Sequence, residues 1–310
     1  MGAAKQKSAH EAACDLVRVG DLDGARRAAE AEIRRLGNSN TAELWRLSFL
    51  RAEMIEARGN IEEALLFLES LPPPRLDDTE SSAALKMHRG SYAGYLGRYE
   101  TSHQLLAEAE AVAREAGLRK LQAEVCLSWA FIFFRQKDYE SSGRLFRSAL
   151  DLTETEKVGG WSLRGRALWG VGKNLMIQEH HAEALLWLQR SLDIFENAGA
   201  PVSIAMVWGE MAVCYLGLGD DEKAMELFRK AERVNCEAGV VHNYQVVLAN
   251  IGNVYLHRRD HFTAIAYYRR ALALAREIKD PVSIQKWTRN INLAYARIRQ
   301  DVDQSNARVA

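Results

Sequence analysis

The sequence predicts an all-α protein, a right-handed α-α solenoid of about seven stacked helix pairs followed by a C-terminal capping helix. Three observations predict it. The first is a small residue that returns about every forty positions: Ala25, Ala64, Ser102, Ser142, Ala184, Ala224 and Ala264. The second is a fixed frame around that anchor. Twelve residues earlier stand Ala13, Ala52, Gly90, Ala130, Gly172, Ala212 and Gly252; four residues later stand Leu68, Leu106, Phe146, Leu188, Phe228 and Tyr268, with Ala29 the exception. The third is a turn signal before each anchor. Five residues before it come Gly20, Gly59, Gly97, Lys137, Glu179, Gly219 and Arg259, and Asp21, Asn60, Asp138, Asp220 and Asp260 follow five of them.

Each unit reads as two helices joined by a tight turn. In 207–218, Val207, Met211, Val213, Cys214, Tyr215 and Leu218 favour helical spacing. Gly219-Asp220 then ends the helix: Gly accepts the left-handed conformation of a C-cap, and Asp caps the next helix. The second helix, 222–237, carries Ala224, Leu227, Phe228, Ala231 and Val234 on one face and stops at Gly239. Gly117 and Gly199 stop the equivalent helices. The small slots have a steric reason, because two helices approach closely only where Ala or Gly faces a bulky partner. Repetition places the units at about 6–37, 41–71, 80–117, 120–157, 161–199, 201–239 and 241–279. A capping helix follows over 281–300, where Pro281-Val282-Ser283-Ile284 repeats Pro201-Val202-Ser203-Ile204, and a polar, frayed tail is expected over 301–310. Two joints are irregular, Leu71-Pro72-Pro73-Pro74-Arg75 and Lys157-Val158-Gly159-Gly160. They read first as inter-repeat loops and second as flex points.

The order of small residue, aromatic, turn, Ala, aromatic and Ala resembles the tetratricopeptide (TPR) repeat. Its clearest copies are Trp208, Met211-Ala212, Tyr215, Gly219-Asp220, Ala224, Phe228, Ala231 and then Leu248, Ile251-Gly252, Tyr255, Asp260, Ala264, Tyr268, Ala271. The resemblance covers 6–300. Its units are longer than the usual ones by about six residues, or about 1.7 helical turns. In this they are similar to kinesin-light-chain-like arrays and to the sensor arrays of bacterial signalling proteins. The resemblance implies a scaffold that recognises a protein or peptide. It also allows a regulatory sensor controlling a separate effector, such as a caspase-like protease or a transcription regulator.

Composition narrows the partners. Lys plus Arg and Asp plus Glu both number 41 among 310 residues, so no net field attracts nucleic acid or a membrane surface. The four cysteines, Cys14, Cys126, Cys214 and Cys236, lie far apart, without the close pairs of a zinc site, and are expected to be reduced thiols in a cytoplasmic protein. The N-terminus lacks a signal-peptide core, residue 6 is Gln6 rather than the Ser or Thr of a myristoylation signal, and no run of 18 apolar residues spans a membrane.

Enzyme signals are poor: there is no phosphate-binding glycine loop and no nucleophile elbow. His10-Glu11-Ala12-Ala13-Cys14 has Cys14 where a zinc protease needs its second His, and His180-His181 falls in a turn. His257 and His261 stand four apart, but Arg259-Asp260 puts a turn between them. No enzyme activity, cofactor or metal is therefore expected. The search for a site reduces to the inward-facing side of the first helices. There Phe131, Arg135, Arg166, Trp169 and Lys173 interleave aromatics with cations, a surface suited to a peptide with acidic and apolar groups. Asn250, Asn253 and His257, with Lys286, Arg289 and Asn290 on the capping helix, form a second, polar surface suited to holding an extended backbone. Lys286 and Asn250 match two positions of the TPR carboxylate clamp, but Gly209 and Val213 stand where Lys and Asn are required, which argues against a strict clamp. End-to-end stacking of solenoids offers a route to a homo-oligomer.

Overall fold

The computed structural model describes residues 7–37, 39–154 and 160–309, with side chains described through Gln304. Among them are fifteen helices and no strand. They come as seven pairs: α1 (Ala9–Val19) with α2 (Leu22–Leu36), α3 (Ala42–Ala57) with α4 (Ile61–Glu69), α5 (Thr79–Tyr95) with α6 (Tyr99–Glu115), α7 (Arg119–Arg135) with α8 (Tyr139–Leu152), α9 (Gly160–Ile177) with α10 (His181–Ala198), α11 (Pro201–Gly217) with α12 (Asp221–Glu237), and α13 (Val241–His257) with α14 (His261–Glu277). The last helix, α15 (Pro281–Val309), packs on α14.

Every column of the repeat has a structural counterpart. All seven anchors, from Ala25 to Ala264, have no exposed surface. The residues five before them, Gly20, Gly59, Gly97, Lys137, Glu179, Gly219 and Arg259, all adopt left-handed φ between 62 and 89°. Lys137, Glu179 and Arg259 therefore hold a conformation that suits glycine better. Asp21, Asp138, Asp220 and Asp260 cap the second helices, each carboxylate accepting the backbone N–H three residues on at 2.7–3.1 Å. The small slot at −12 meets the bulky residue at +4 of its own unit: a Cβ on Gly90, Gly172 or Gly252 would stand 3.0, 2.8 and 2.7 Å from Leu106, Leu188 and Tyr268. This sharpens the expectation that a notch in one helix accepts a bulky side chain from the other.

α11 begins at Pro201, the residue at which the sequence places the start of its unit, because proline fits the first turn of a helix, where its missing N–H is not needed. One boundary differs from the sequence reading. α15 runs on to Val309, through the stretch expected to be a frayed tail. No Gly or Pro interrupts 282–309, and Asp301 binds back to the preceding pair, its carboxylate 2.9 Å from His261 Nε2 and 3.5 Å from Arg259.

The contacts gather into two compact units. One comprises Met1–Glu56 with Asn60–Ile204, the other Ala57–Gly59 with Ala205–Ala310. The division falls inside α11, at neither irregular joint. The proline run is non-helical, and Asn40 Nδ2 donates to the Pro73 carbonyl at 3.0 Å across it. Lys157, Val158 and Gly159 of the other joint, and Gln6 of the myristoylation test, lie outside the described residues. In the first unit the core runs through clusters centred on Trp45 and Tyr92 and on Leu106 and Ile132. In the second it centres on Tyr268 and Trp287.

Candidate functional site

In the first unit the first helices pack on one another, α5 on α7 and α7 on α9, so their free faces form one continuous surface. That layer bends around an interior. Arg18, at the end of α1, donates to the Ala198 carbonyl at the end of α10 at 3.0 Å, joining the first pair to the fifth. Arg166 on α9 acts electrostatically on Glu53 and Glu56 of α3 and on His88 of α5. Lys120 on α7 acts on His10 and Cys14 of α1.

On α7 and α9 the structure brings the expected aromatic and cationic residues together. The half-buried Phe131 ring lies 5.4 Å from Trp169 and edge-on to Phe146 at 5.0 Å. The Lys173 ammonium stands 4.9 Å over Trp169 and 5.6 Å from the centre of Phe134. Trp169 itself is only 9% exposed, and its Nε1–H has no hydrogen-bond partner among the described residues. It therefore backs the surface while Phe131, Phe134 and Lys173 present it. Arg135 is turned toward α5, donating to the Tyr95 carbonyl at 3.2 Å with its guanidinium 5.6 Å over the Tyr95 ring. Arg166 is exposed.

Around the same interior stands a group that sequence reasoning did not single out. Glu53 and Glu56 sit one turn apart on α3. Glu53 keeps open surface toward the interior, yet protein surrounds it at longer range, and this enclosure raises its carboxyl to about 7. Burial, then the charge of Glu53, raises Glu56 to about 7 as well. Burial also raises Glu124 on α7, which pairs with Lys120 at 3.6 Å. His88 is buried and stacked on Phe49 at 4.7 Å, and burial with the Arg166 charge lowers it to about 4, so it is neutral at pH 7. Tyr92 is 1% exposed, and its hydroxyl has no hydrogen-bond partner among the described residues.

The signal for Glu53 was present in the register. Cys14, Glu53, Ser91, Phe131, Lys173, Val213 and Asn253 each follow the small slot by one residue. Phe131, Lys173 and Asn253 stand in that column, and Glu53 is its member in the second unit of the repeat. Glu124 and Arg166 likewise both precede their small slots, Ala130 and Gly172, by six.

The polar surface expected on the later helices is more tied up. Asn253 accepts the Tyr268 hydroxyl at 2.7 Å and donates to Asn250 at 3.3 Å. His257 Nδ1 lies 2.9 Å from Asp221, linking α13 to α12. The Lys286 ammonium stands 4.8 Å over Trp287, Arg289 is exposed, and Asn290 is half-buried. Cys126 and Cys214 are buried, Cys14 is half-buried and Cys236 is exposed. Among the described residues no helix is long and apolar enough to cross a membrane, and no group of three His, Cys, Asp or Glu side chains is placed to hold a metal.

Four family models described as Tetratricopeptide repeat match the chain, over residues 10–78, 121–197, 206–235 and 247–282. The chain is a tetratricopeptide repeat protein. No curated protein matches its sequence. Among solved structures, this TPR chain is similar to a Rap protein complexed with Competence and Sporulation Factor, with a TM-score of 0.66 and 16% identity over 94% of this chain and 85% of that one. It is similar to aspartyl phosphate phosphatase F from Bacillus subtilis, with a TM-score of 0.57 and 15% identity over 98% and 84% of the two chains. It also resembles a signal-transduction ATPase with a tetratricopeptide repeat sensor from Pyrococcus horikoshii, with a TM-score of 0.57 and 16% identity over 87% of this chain and 43% of that one. At these identities the likeness is one of fold.

Proposed function

We propose that this TPR protein is a non-enzymatic adaptor that binds a peptide or protein segment along the interior face of its first helices. The observation that carries the reading is the α7–α9 surface. There the Lys173 cation stands over Trp169 and beside Phe134, with Phe131 next to them, on a rigid layer of packed helices. Aromatic anchors flanked by a cation suit a segment with apolar and acidic side chains, and a rigid layer lowers the ordering cost of capture. The Rap protein of similar fold, which is complexed with Competence and Sporulation Factor, supports a role in binding a partner.

A second reading is a sensor that controls a separate effector when its ligand binds. Its support is the similar fold of the TPR sensor in the signal-transduction ATPase, together with the division of this chain into two compact units. On either reading the protein acts by recognition. In the test, immobilised wild-type protein and a Phe134→Ala/Lys173→Gln variant are exposed to lysate of the native cell, and the captured proteins are identified by mass spectrometry. The reading expects a set held by the wild type and lost by the variant. Identical sets would place binding elsewhere.

A further inference from the structure

Glu53 and Glu56 form half of an ion-pair site whose other half the chain does not supply. Three residues apart on α3, they share a face of the helix. Among the described residues neither carboxylate has a hydrogen bond or an ion pair within 4.0 Å. The positive groups nearby are otherwise placed. Lys120 pairs with Glu124, Arg135 is bonded to the Tyr95 carbonyl and laid on its ring, and Arg166 acts on both carboxylates from α9, beyond ion-pair distance. His88 beside them is held neutral. Second, and independently, the buried Tyr92 hydroxyl has no partner, and the charges acting on it are those of Glu56 and Glu53. A buried hydroxyl left unbonded costs free energy that a ligand group can recover.

We propose that Glu53, Glu56 and the Tyr92 hydroxyl receive a cationic side chain of the bound peptide, with a guanidinium favoured over an ammonium. The carboxylates accept its N–H groups, and the Tyr92 oxygen accepts one more. A guanidinium presents several donors in a planar fork, which suits two carboxylates and a phenol better than a point charge does. Phe49, His88 and Tyr92 pack against one another beneath this face of α3, which fixes the helix that carries the two carboxylates. This inference rests on the peptide-binding reading and adds to it a polarity. The ligand sets its basic residue toward α3 and α5 and its apolar or acidic residues toward α7 and α9. Binding also draws protons off. The groups facing the site are Cys14 of α1, Glu53 and Glu56 of α3, His88, Tyr92 and Tyr95 of α5, Lys120, Glu124 and Arg135 of α7, and Arg166 of α9. Glu53 and Glu56, raised to about 7, gain negative charge between pH 5.5 and 7.5, so affinity for the cation rises with pH over that range.

The probe is a positional-scanning array of synthetic hexapeptide pools with Arg, Lys, Glu or neutral citrulline fixed at each position, read with labelled protein. At pH 7.5 the wild type is expected to favour Arg over citrulline at one position by about tenfold, the size of one good charge-assisted hydrogen bond. The preference shrinks at pH 5.5. It vanishes in Glu53→Gln/Glu56→Gln and weakens severalfold in Tyr92→Phe, both of which keep the shape of the core. Lys173→Gln weakens all pools while leaving the Arg-to-citrulline ratio in place. Equal binding of Arg and citrulline pools, or a preference that survives the double glutamine variant, overturns the cation site and leaves the peptide reading standing. If no pool binds the wild type, both are overturned.

Discussion

One chemical change, Gly to Ala, is expected to have opposite effects at two positions of the second compact unit. Gly209 lies mid-helix in α11, and a Cβ built there meets nothing within 4 Å. Gly252 lies mid-helix in α13, and its Cβ would stand 2.7 Å from Tyr268 Cε1, 2.9 Å from Cδ1 and 3.2 Å from Cζ. Ordinary contact begins at 3.4 Å, so the ring must retreat by 3.4 − 2.7 = 0.7 Å. It has nowhere to go: Tyr268 has no exposed surface, and its hydroxyl is tied to Asn253 at 2.7 Å. Alanine in either helix gains about 1 kcal/mol of helix propensity over glycine. At Gly252 an overpacking cost of about 1–3 kcal/mol is set against that gain. The propensity term cancels in the difference, so Gly209→Ala should be more stable than Gly252→Ala by about 1–3 kcal/mol. Urea unfolding followed by far-UV circular dichroism measures both variants, and hydrogen exchange in α13 and α14 checks that the effect is local. A Gly252→Ala variant as stable as Gly209→Ala would refute the notch.

Three further outcomes follow from the geometry. A carboxyl raised in the fold contributes stability that is complete below its ordinary value of 4.5 and lost as pH climbs through about 7. Glu53→Gln/Glu56→Gln should therefore melt higher than the wild type at pH 8, with the gain fading by pH 4.5. His88 works in the opposite sense, its contribution present above 6.5 and lost as pH falls through about 4. Replacing the capping Asp260 by Ala should cost about 0.5–2 kcal/mol in thermal melts, whereas Asn60→Ala, whose side chain makes no cap bond, should cost less. With a disulfide reagent at pH 8, Cys236 should react first, because burial pushes the Cys126 and Cys214 thiols up to about 11 and 12; fast reaction of either would contradict their packing.

What the sequence reveals depends on whether the responsible contact lies within one repeat. The small slot, the anchor and the bulky partner lie within 16 residues of one another, and the frame recurs seven times with Ala29 as its one departure, so the columns stand out and each has a packing role. Even Lys137, Glu179 and Arg259 could be assigned to the left-handed turn, because the register placed them opposite glycines. The continuation of α15 was not visible in this way. Its end is tied to the preceding pair by Asp301, which meets both His261 and Arg259, and no such carboxylate marks the pattern of the repeat.

The acidic interior was hidden for a related reason. Glu53, Tyr92, Glu124 and Arg166 come from four different repeats, and they share a field only because the packed first helices bend around a common space. Repetition reveals what every unit must do to stack, and it is silent about what one unit does differently. In the column one past the small slot, the residues run Cys, Glu, Ser, Phe, Lys, Val and Asn. No stacking requirement could select such a mixture, since the slot beside it stays Ala or Gly throughout. Variation in a column that faces the interior, next to one that never varies in size, separates the residues free to recognise a ligand from those that hold the helices together. By that criterion Glu53, Phe131 and Lys173 are the positions at which substitution is expected to change what the proposed surface recognises without changing how the helices stack.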